Sequence, residues 1–189
     1  KDSFRAFIRF RFKGLNYACF LLRIAPSILL YYSGLIREKK LKEILLGKAA
    51  KGRTEAELHQ LGKEFIGYLD KEKVIKPEFM RILQQHQREG AELVVVSASP
   101  DLWIKPFAEM HGLQYLCTRL EFDQLRVFTG RISGNNCKGA EKKRRILEQY
   151  IPHDFGKIIA YGDSEGDREM MELATERHWV GQKKQTIRQ

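Results

Sequence analysis

The sequence predicts an α/β protein: a doubly wound parallel-sheet core over residues 76–189, preceded over residues 1–75 by a mostly helical section that reads as a cap. Three observations lead to this expectation. Before residue 76 the apolar side chains recur at helical spacing. After Pro77, short apolar runs such as LVVV and KIIAY alternate with stretches of helical period. The length of 189 residues suits one domain or a domain with a sizeable insertion, and 43% hydrophobic with 31% charged residues is an ordinary globular balance.

The elements follow in order. Phe4, Phe7, Ile8, Phe12 and Leu15 keep helical spacing with basic residues interleaved. Leu15 to Ile36 is the most apolar segment, 22 residues carrying one charge, Arg23, and one breaker, Pro26. Helices are expected over Glu38 to Ala50 and over Thr54 to Leu69, the second opened by a capping box of Thr54 and Glu57. An amphipathic helix from Glu78 to Glu89 stops at Gly90. Leu93 to Val96 reads as a strand buried on both faces. Pro100 to His111 reads as a helix stopped by Gly112, and Leu120 to Ile132 as a hairpin turning at Asp123 to Arg126. Lys142 to Tyr150 predicts a helix, Lys157 to Tyr161 a strand, Asp167 to Ala174 a helix and His178 to Val180 a short last strand.

Charge is distributed unevenly. The net charge is +10, and residues 1–53 hold 13 of the 34 Lys and Arg but only 3 of the 24 Asp and Glu. The remaining residues balance at 21 of each, so the first 53 residues carry the whole excess. Such a block suits an anionic partner, or else forms a solvated helical surface. One reading packs Leu15 to Ile36 inside the cap as a kinked helical pair. The other lays it on an anionic membrane surface, with Arg9, Arg11, Lys13, Lys39, Lys40 and Lys42 facing lipid. A single bilayer span is opposed by Arg23 and Pro26. The aromatic residues of the basic part follow helix spacing, which is core patterning, and no RNA-binding signature is present, so no nucleic acid partner is expected. Cys19, Cys117 and Cys137 are isolated and odd in number, without zinc spacing, which points to a reducing compartment. No secretory signal opens the chain. The expected location is the cytoplasm, either free or at the inner face of the membrane.

Two strand ends carry chemistry. After LVVV come Ser97, Ala98 and Ser99, then Pro100 at a helix start. The Ser97 hydroxyl and the amides of that turn suit a phosphate, because a helix N-terminus offers unpaired N–H groups. After KIIAY come Gly162, Asp163 and Asp167. Two carboxylates at a loop–helix junction, with no His or Cys nearby, suit a hard oxygen-seeking cation such as Mg²⁺. Each feature also has a purely structural reading: Ser97 as a helix cap, Asp167 as a favourable charge in a first turn.

VVVSAS, CKGAEK and IIAYGDSEGD, taken together and in this order, resemble the second, third and fourth motifs of the haloacid dehalogenase (HAD) superfamily, in its phosphoserine phosphatase-like branch, subfamily IB. The similarity covers about residues 76–181. KDSFRAF resembles the segment following the first motif, and the apolar helical section with the ending RHWVG is loosely similar to bacterial phosphatidylglycerophosphatase C. The resemblance implies a HAD-like Rossmannoid core, Mg²⁺ as cofactor and a phosphomonoesterase working through an aspartyl-phosphate. Asp163 and Asp167 would be metal ligands, Ser97 with the Ala98–Ser99 turn the phosphate site, and a lysine the charge-offsetting group. That lysine is Lys142 by the pattern CxGxxK or Lys138 by the KG pair. Lys143, Arg144 and Arg145 are expected on the helix surface. The first motif, DxDGT, which supplies nucleophile and general acid in the family, has no match in the sequence. The expectation is that this segment precedes Lys1, so that the chain alone is inactive. The substrate implied is a small phosphate ester or a lipid phosphate. The alternative is a catalytically inactive module whose basic N-terminal half binds membrane or another anionic partner.

Overall fold

The structure, a computed structural model, describes residues 3–180. The chain folds as two compact units that divide between Asn136 and Cys137.

The first unit contains five helices, α1 (Ser3–Arg11), α2 (Gly14–Tyr32), α3 (Glu38–Ala50), α4 (Glu55–Lys71) and α5 (Pro77–Arg88), then β1 (Val94–Pro100), α6 (Asp101–His111), β2 (Gln114–Phe122) and β3 (Phe128–Ser133). β1 pairs with β2 in parallel through the α6 crossover, and β2 pairs with β3 antiparallel, giving the order β1–β2–β3. The second unit contains α7 (Ala140–Gln149), β4 (Ile159–Gly162), the short α8 (Arg168–Met171) and β5 (Glu176–Trp179), with β4 and β5 parallel. Parallel strands linked by helices, with additional helices before them, are the α/β architecture that the alternating runs predict.

Local chemistry explains the boundaries. Thr54 and Glu57 form the expected capping box: the Thr54 hydroxyl accepts from the Glu57 amide at 3.3 Å, and the Glu57 carboxylate accepts from the Thr54 amide at 2.7 Å. α6 ends at Gly112, whose φ of 63° is the left-handed conformation that closes a helix. The hairpin turns where expected: the Arg126 amide donates to the Asp123 carbonyl and the Asp123 amide to the Val127 carbonyl.

Several features differ from the sequence reading. β2 begins at Gln114, not near Leu120, because Gln114 to Thr118 pair with β1, a long-range partner that no local pattern reveals. Leu93 to Val96 were expected to be buried on both faces, yet Val94 to Val96 are half-buried, since β1 has a neighbour along one edge only within the first unit. The helix expected over Asp167 to Ala174 is a 3₁₀ turn, Glu165–Asp167, followed by the four residues of α8. The last strand starts at Glu176, where its amide meets the Ile158 carbonyl at 3.0 Å, two residues before the expected start.

The core of the first unit is aromatic. Phe7, Phe65 and Trp103 are almost fully inaccessible; Phe7 stacks on Trp103 at 5.0 Å between centroids and meets Phe65 edge-on at 5.2 Å. α1 is thereby joined to α4 and α6, and the Phe12–Phe20 stack at 4.2 Å joins its end to α2. Leu15 to Ile36 do not form a kinked pair inside a cap. α2 runs as one 19-residue helix through Pro26 and buries only Phe20 and Ile24. Three of the six basic side chains expected to face lipid bond to backbone carbonyls instead, Arg11 and Lys42 through half-buried bonds and Lys39 through an exposed one. Arg11 donates to the Ala49 carbonyl at 3.2 Å, Lys39 to the Gly134 carbonyl at 2.6 Å, and Lys42 to the Ala98 carbonyl at 3.0 Å. Arg9, Lys13 and Lys40 remain exposed.

Asp101 opens α6 with both carboxylate oxygens accepting from the Leu120 amide at 3.2 Å. The cavity beside it has a volume of ≈ 40 Å³, enough for a water. Burial pushes the Asp101 pKa up from 3.8 to about 6, against the pull of the Leu120 and Leu102 amides and of Lys105. The folded state therefore holds the proton more tightly than the unfolded chain does. The contribution of this group to stability is complete below 3.8 and declines as pH rises towards about 6. Asp101→Asn, isosteric and uncharged, lacks that decline. Relative to the unmodified protein it is expected to gain roughly 2 kcal/mol of stability between about pH 4 and pH 7, read from urea unfolding at both. A stability difference between the two proteins that is the same at both pH values defeats this assignment.

Candidate active site

Each unit places one of the sequence-marked strand ends. In the first, β1 carries Ser97, Ala98 and Ser99 at its carboxyl end. The ladder with β2 jumps from Ser97–Cys117 to Pro100–Thr118, so Ala98 and Ser99 bulge out of the pairing. The Ser97 hydroxyl accepts from the Ser99 amide at 3.1 Å, which closes the turn and leaves the Ser97 O–H pointing to a donor role. The Ser99 hydroxyl meets that of Ser3 at 2.9 Å. Pro100 caps α6, so the turn leads directly into a helix N-terminus.

A polar network that the sequence does not mark holds this turn from behind. The Ala98 carbonyl accepts from the Thr118 hydroxyl at 3.0 Å and from the Lys42 ammonium at 3.0 Å. Lys42 also donates to Asn136 Oδ1 at 2.9 Å and pairs with Glu38 at 3.0 Å, while Asn136 donates to Glu38 at 3.2 Å. The Thr118 hydroxyl, fully buried, also lies 3.0 Å from the same Asn136 oxygen, so its one proton is shared between the two acceptors. The five residues are drawn from α3, β1, β2 and the segment after β3, so periodicity gives no sign of them. The nearest available signal is the position of Asn136 immediately before the CKG motif.

In the second unit, β4 ends at Gly162 and releases the chain into Asp163, Ser164 and the 3₁₀ turn. Asp167 is 4% exposed and Lys142, on α7, 6% exposed, and the Lys142 ammonium is in direct contact with Asp167 Oδ1. Asp167 Oδ2 accepts three further bonds, from the Asp163 amide at 3.1 Å and from the Ser164 amide and hydroxyl at 3.0 Å each. Burial by itself pushes the Asp167 carboxyl up. The Lys142 ammonium, the Asp163 amide and the Ser164 hydroxyl outweigh it and hold the group below its ordinary value. The carboxylate is thus ionised and saturated by donors. α7 and the 3₁₀ turn are drawn together by the Gly139 amide, which donates to the Gly166 carbonyl at 2.9 Å. Gly139 at φ 62° takes a conformation that side chains rarely adopt, and the site of a Cβ on Gly166 lies 3.0 Å from Lys138 Cγ.

Lys142, Asp163 and Asp167 are therefore gathered within the second unit, and Ser97, Ala98 and Ser99 within the first. Lys142 is the buried lysine and Lys138 the exposed one. Arg144 is exposed, Lys143 pairs with Glu172 at 2.7 Å and Arg145 with Glu141 at 2.7 Å. The Asp163 side chain is exposed at the mouth of β4. It is a hard oxygen donor and fits Mg²⁺ as one ligand, whereas both Asp167 oxygens are already engaged by protein donors. Among the described residues no group of three or more His, Cys, Asp or Glu side chains is arranged to hold a metal ion.

A two-carboxylate loop after one strand, a hydroxyl-bearing turn after another and a buried lysine on an intervening helix define a hydrolase class, and the chain belongs to it. The family model of haloacid dehalogenase-like hydrolases matches residues 1–172. Protein CicA of Caulobacter vibrioides is 34% identical over 178 residues, 94% of this chain and 78% of CicA. Among solved structures, a Bordetella pertussis Tohama I protein of unknown function superposes with a TM-score of 0.69 at 23% identity, over 93% of this chain and 78% of its own. A probable phosphoserine phosphatase from Vibrio cholerae superposes with a TM-score of 0.59 at 19% identity, over 80% of this chain and 45% of its own. At such identities the superpositions establish the fold, a HAD-like α/β core with additional helices.

Proposed function

We propose that the chain carries the phosphate-binding and charge-offsetting machinery of a Mg²⁺-dependent phosphomonoesterase that works through an aspartyl-phosphate. The observation that supports this most directly is the buried Lys142–Asp167 pair beside the exposed Asp163 at the carboxyl end of β4. A phosphoryl group in transfer spreads negative charge over its equatorial oxygens, so catalysis is mainly positioning and electrostatics. In this reading Ser97 and the amides of the Ala98–Ser99 turn each donate to a phosphoryl oxygen. Lys142, held by Asp167, offsets the remaining charge without reorganising during the reaction. Lys142 is preferred to Lys138 because it is buried and fixed by the buried Asp167 carboxylate. Asp163 is the carboxylate that would hold Mg²⁺, which when bound neutralises phosphoryl charge. Asp167 then acts through Lys142.

In the covalent scheme a carboxylate oxygen attacks phosphorus in line, the ester oxygen leaves with a proton from a general acid, and water then hydrolyses the acyl phosphate. The nucleophile and acid belong to the DxDGT motif, which no position of these 189 residues supplies, so the chain by itself is expected to be inactive. The helices before residue 76 act as the cap that selects the leaving group, a small phosphate ester or a lipid phosphate. The likeness to a probable phosphoserine phosphatase supports the reaction class and not the leaving group.

The test is a phosphatase panel on the full-length protein, including phosphoserine and a lysophospholipid phosphate, with Asp163→Asn alongside. The substitution is expected to cut turnover by about 10²–10³-fold and to raise the Mg²⁺ concentration required. Near-normal turnover of Asp163→Asn at limiting Mg²⁺ rules the assignment out.

A further inference from the structure

We infer that the outer face of α2 is a docking surface for an anionic lipid bilayer, on which it lies parallel to the membrane plane without crossing it. This inference rests on the surface of the first unit alone and is independent of the phosphatase reading.

α2 is apolar over most of its circumference, yet it is not a core helix. Its inner face, Tyr17, Phe20, Ile24 and Ile28, packs on the first unit. On the opposite face Leu15, Leu22 and Leu29, one heptad apart, are 81%, 75% and 71% exposed. Ala18 and Ala25 lie between them, also exposed, and Tyr32 and Leu35 continue the stripe. Folded monomers rarely leave so large a contiguous apolar surface in water. A helix with apolar residues on both faces requires a second apolar environment in addition to the protein core.

The charge around the stripe identifies that environment. From Ser3 to Arg37 the chain has six basic residues and no acidic one. Five of the six, Arg5, Arg9, Lys13, Arg23 and Arg37, are exposed; the sixth is Arg11, engaged with α3. An apolar stripe bordered by cations matches the acyl boundary and anionic headgroups of a bilayer. A second copy of the chain would bring like charges together, which opposes pairing. A nucleic acid would satisfy the cations but not the leucines. A transmembrane span would have to detach Phe20 and Ile24 from the core and bury Arg23 in hydrocarbon.

The structure also supplies a probe. Of the three cysteines in these 189 residues Cys19 is exposed and Cys117 and Cys137 are buried, so a thiol-reactive, environment-sensitive fluorophore on Cys19 reports on α2. With the full-length protein, a blue shift and co-sedimentation are expected on vesicles containing phosphatidylglycerol. Binding there is expected to be about tenfold stronger than on pure phosphatidylcholine and to fall with salt. The double variant Leu22→Glu/Leu29→Glu is expected to lose about tenfold or more in partitioning with an unchanged melting temperature, since both side chains are exposed. Arg9→Gln/Lys13→Gln/Arg23→Gln is expected to lose the preference for anionic vesicles. Three results each overturn the inference. One is equal, negligible pelleting on both vesicle types. Another is association that survives high salt and yields only to detergent, the mark of a span. The third is a dimer in sedimentation velocity, dissociated by the leucine variant, with no vesicle binding.

Discussion

Lys142→Met is expected to reduce turnover by about 10³-fold or more and to lower folding stability by about 3 kcal/mol, the lower end of the cost of breaking a buried ion pair. The two effects have different origins. Lys142 and Asp167 are 6% and 4% exposed, so removing the ammonium leaves an ionised carboxylate in a site with little water. The cost stays near the lower end because three donors remain on Asp167 Oδ2. In the proposed mechanism the loss of turnover comes instead from removing the charge that offsets the phosphoryl group. The double variant Lys142→Met/Asp167→Asn separates the two, because it removes the uncompensated charge and keeps an acceptor for the amides. It is expected to recover stability relative to the single variant while turnover stays low. The pH dependence adds a sign. The Asp167 carboxyl is held below its ordinary value, so its stabilising contribution is present above 3.8 and is lost as pH falls into the acid range. The stability gap between the unmodified protein and Lys142→Met should therefore narrow on acidification. Lys138→Met tests the assignment of the lysine. Lys138 is exposed, and its substitution is expected to cost under about 0.5 kcal/mol. If Lys138→Met abolishes turnover and Lys142→Met does not, the roles are reversed.

The features legible in the sequence were those with short-range causes. The capping box at Thr54, the stop at Gly112 and the hairpin at Asp123 to Arg126 depend on residues within four positions of one another, and the structure contains all three. The proximity of Asp163 and Asp167 was legible for the same reason, although the structure engages both Asp167 oxygens with Lys142 and local donors, which spacing alone does not indicate. The length of β2 was hidden, because its first half exists by virtue of pairing with β1. Lys42 was misplaced on the surface for a comparable reason: a basic residue in a basic run has no local signal that a carbonyl 56 positions away will accept from it. The exposure of α2 was hidden too. Its composition is that of a core helix or of a membrane-contacting one, and only the packed structure shows that two residues of the nineteen are buried.

The same substitution at two positions of one helix is expected to act in opposite directions. Gly62 and Gly67 both lie within α4, and glycine in a helix interior costs about 1 kcal/mol relative to alanine. At Gly67 a Cβ meets nothing within 4 Å. Gly67→Ala should therefore stabilise the protein by up to about 1 kcal/mol, a rise in Tm of roughly 2–4 °C for a chain of this size. At Gly62 the added Cβ would stand 1.9 Å from the Leu102 carbonyl oxygen, 2.9 Å from Pro106 Cγ and 3.1 Å from the Leu102 carbonyl carbon. The nearest atom is backbone, so no rotamer change relieves the clash. α4 must move away from α6, and that contact holds Phe65 against Trp103 at 5.4 Å between centroids. Overpacking of this kind costs about 1–3 kcal/mol, and more where rigid backbone is the obstacle. After the gain in helix propensity, Gly62→Ala is expected to destabilise by about 3 kcal/mol and to lower Tm by roughly 6–12 °C. Thermal melts of both variants, followed by far-ultraviolet circular dichroism, provide the comparison. If Gly62→Ala melts at or above Gly67→Ala, α4 and α6 do not approach as closely as described, and the aromatic core that joins α1, α4 and α6 is packed differently.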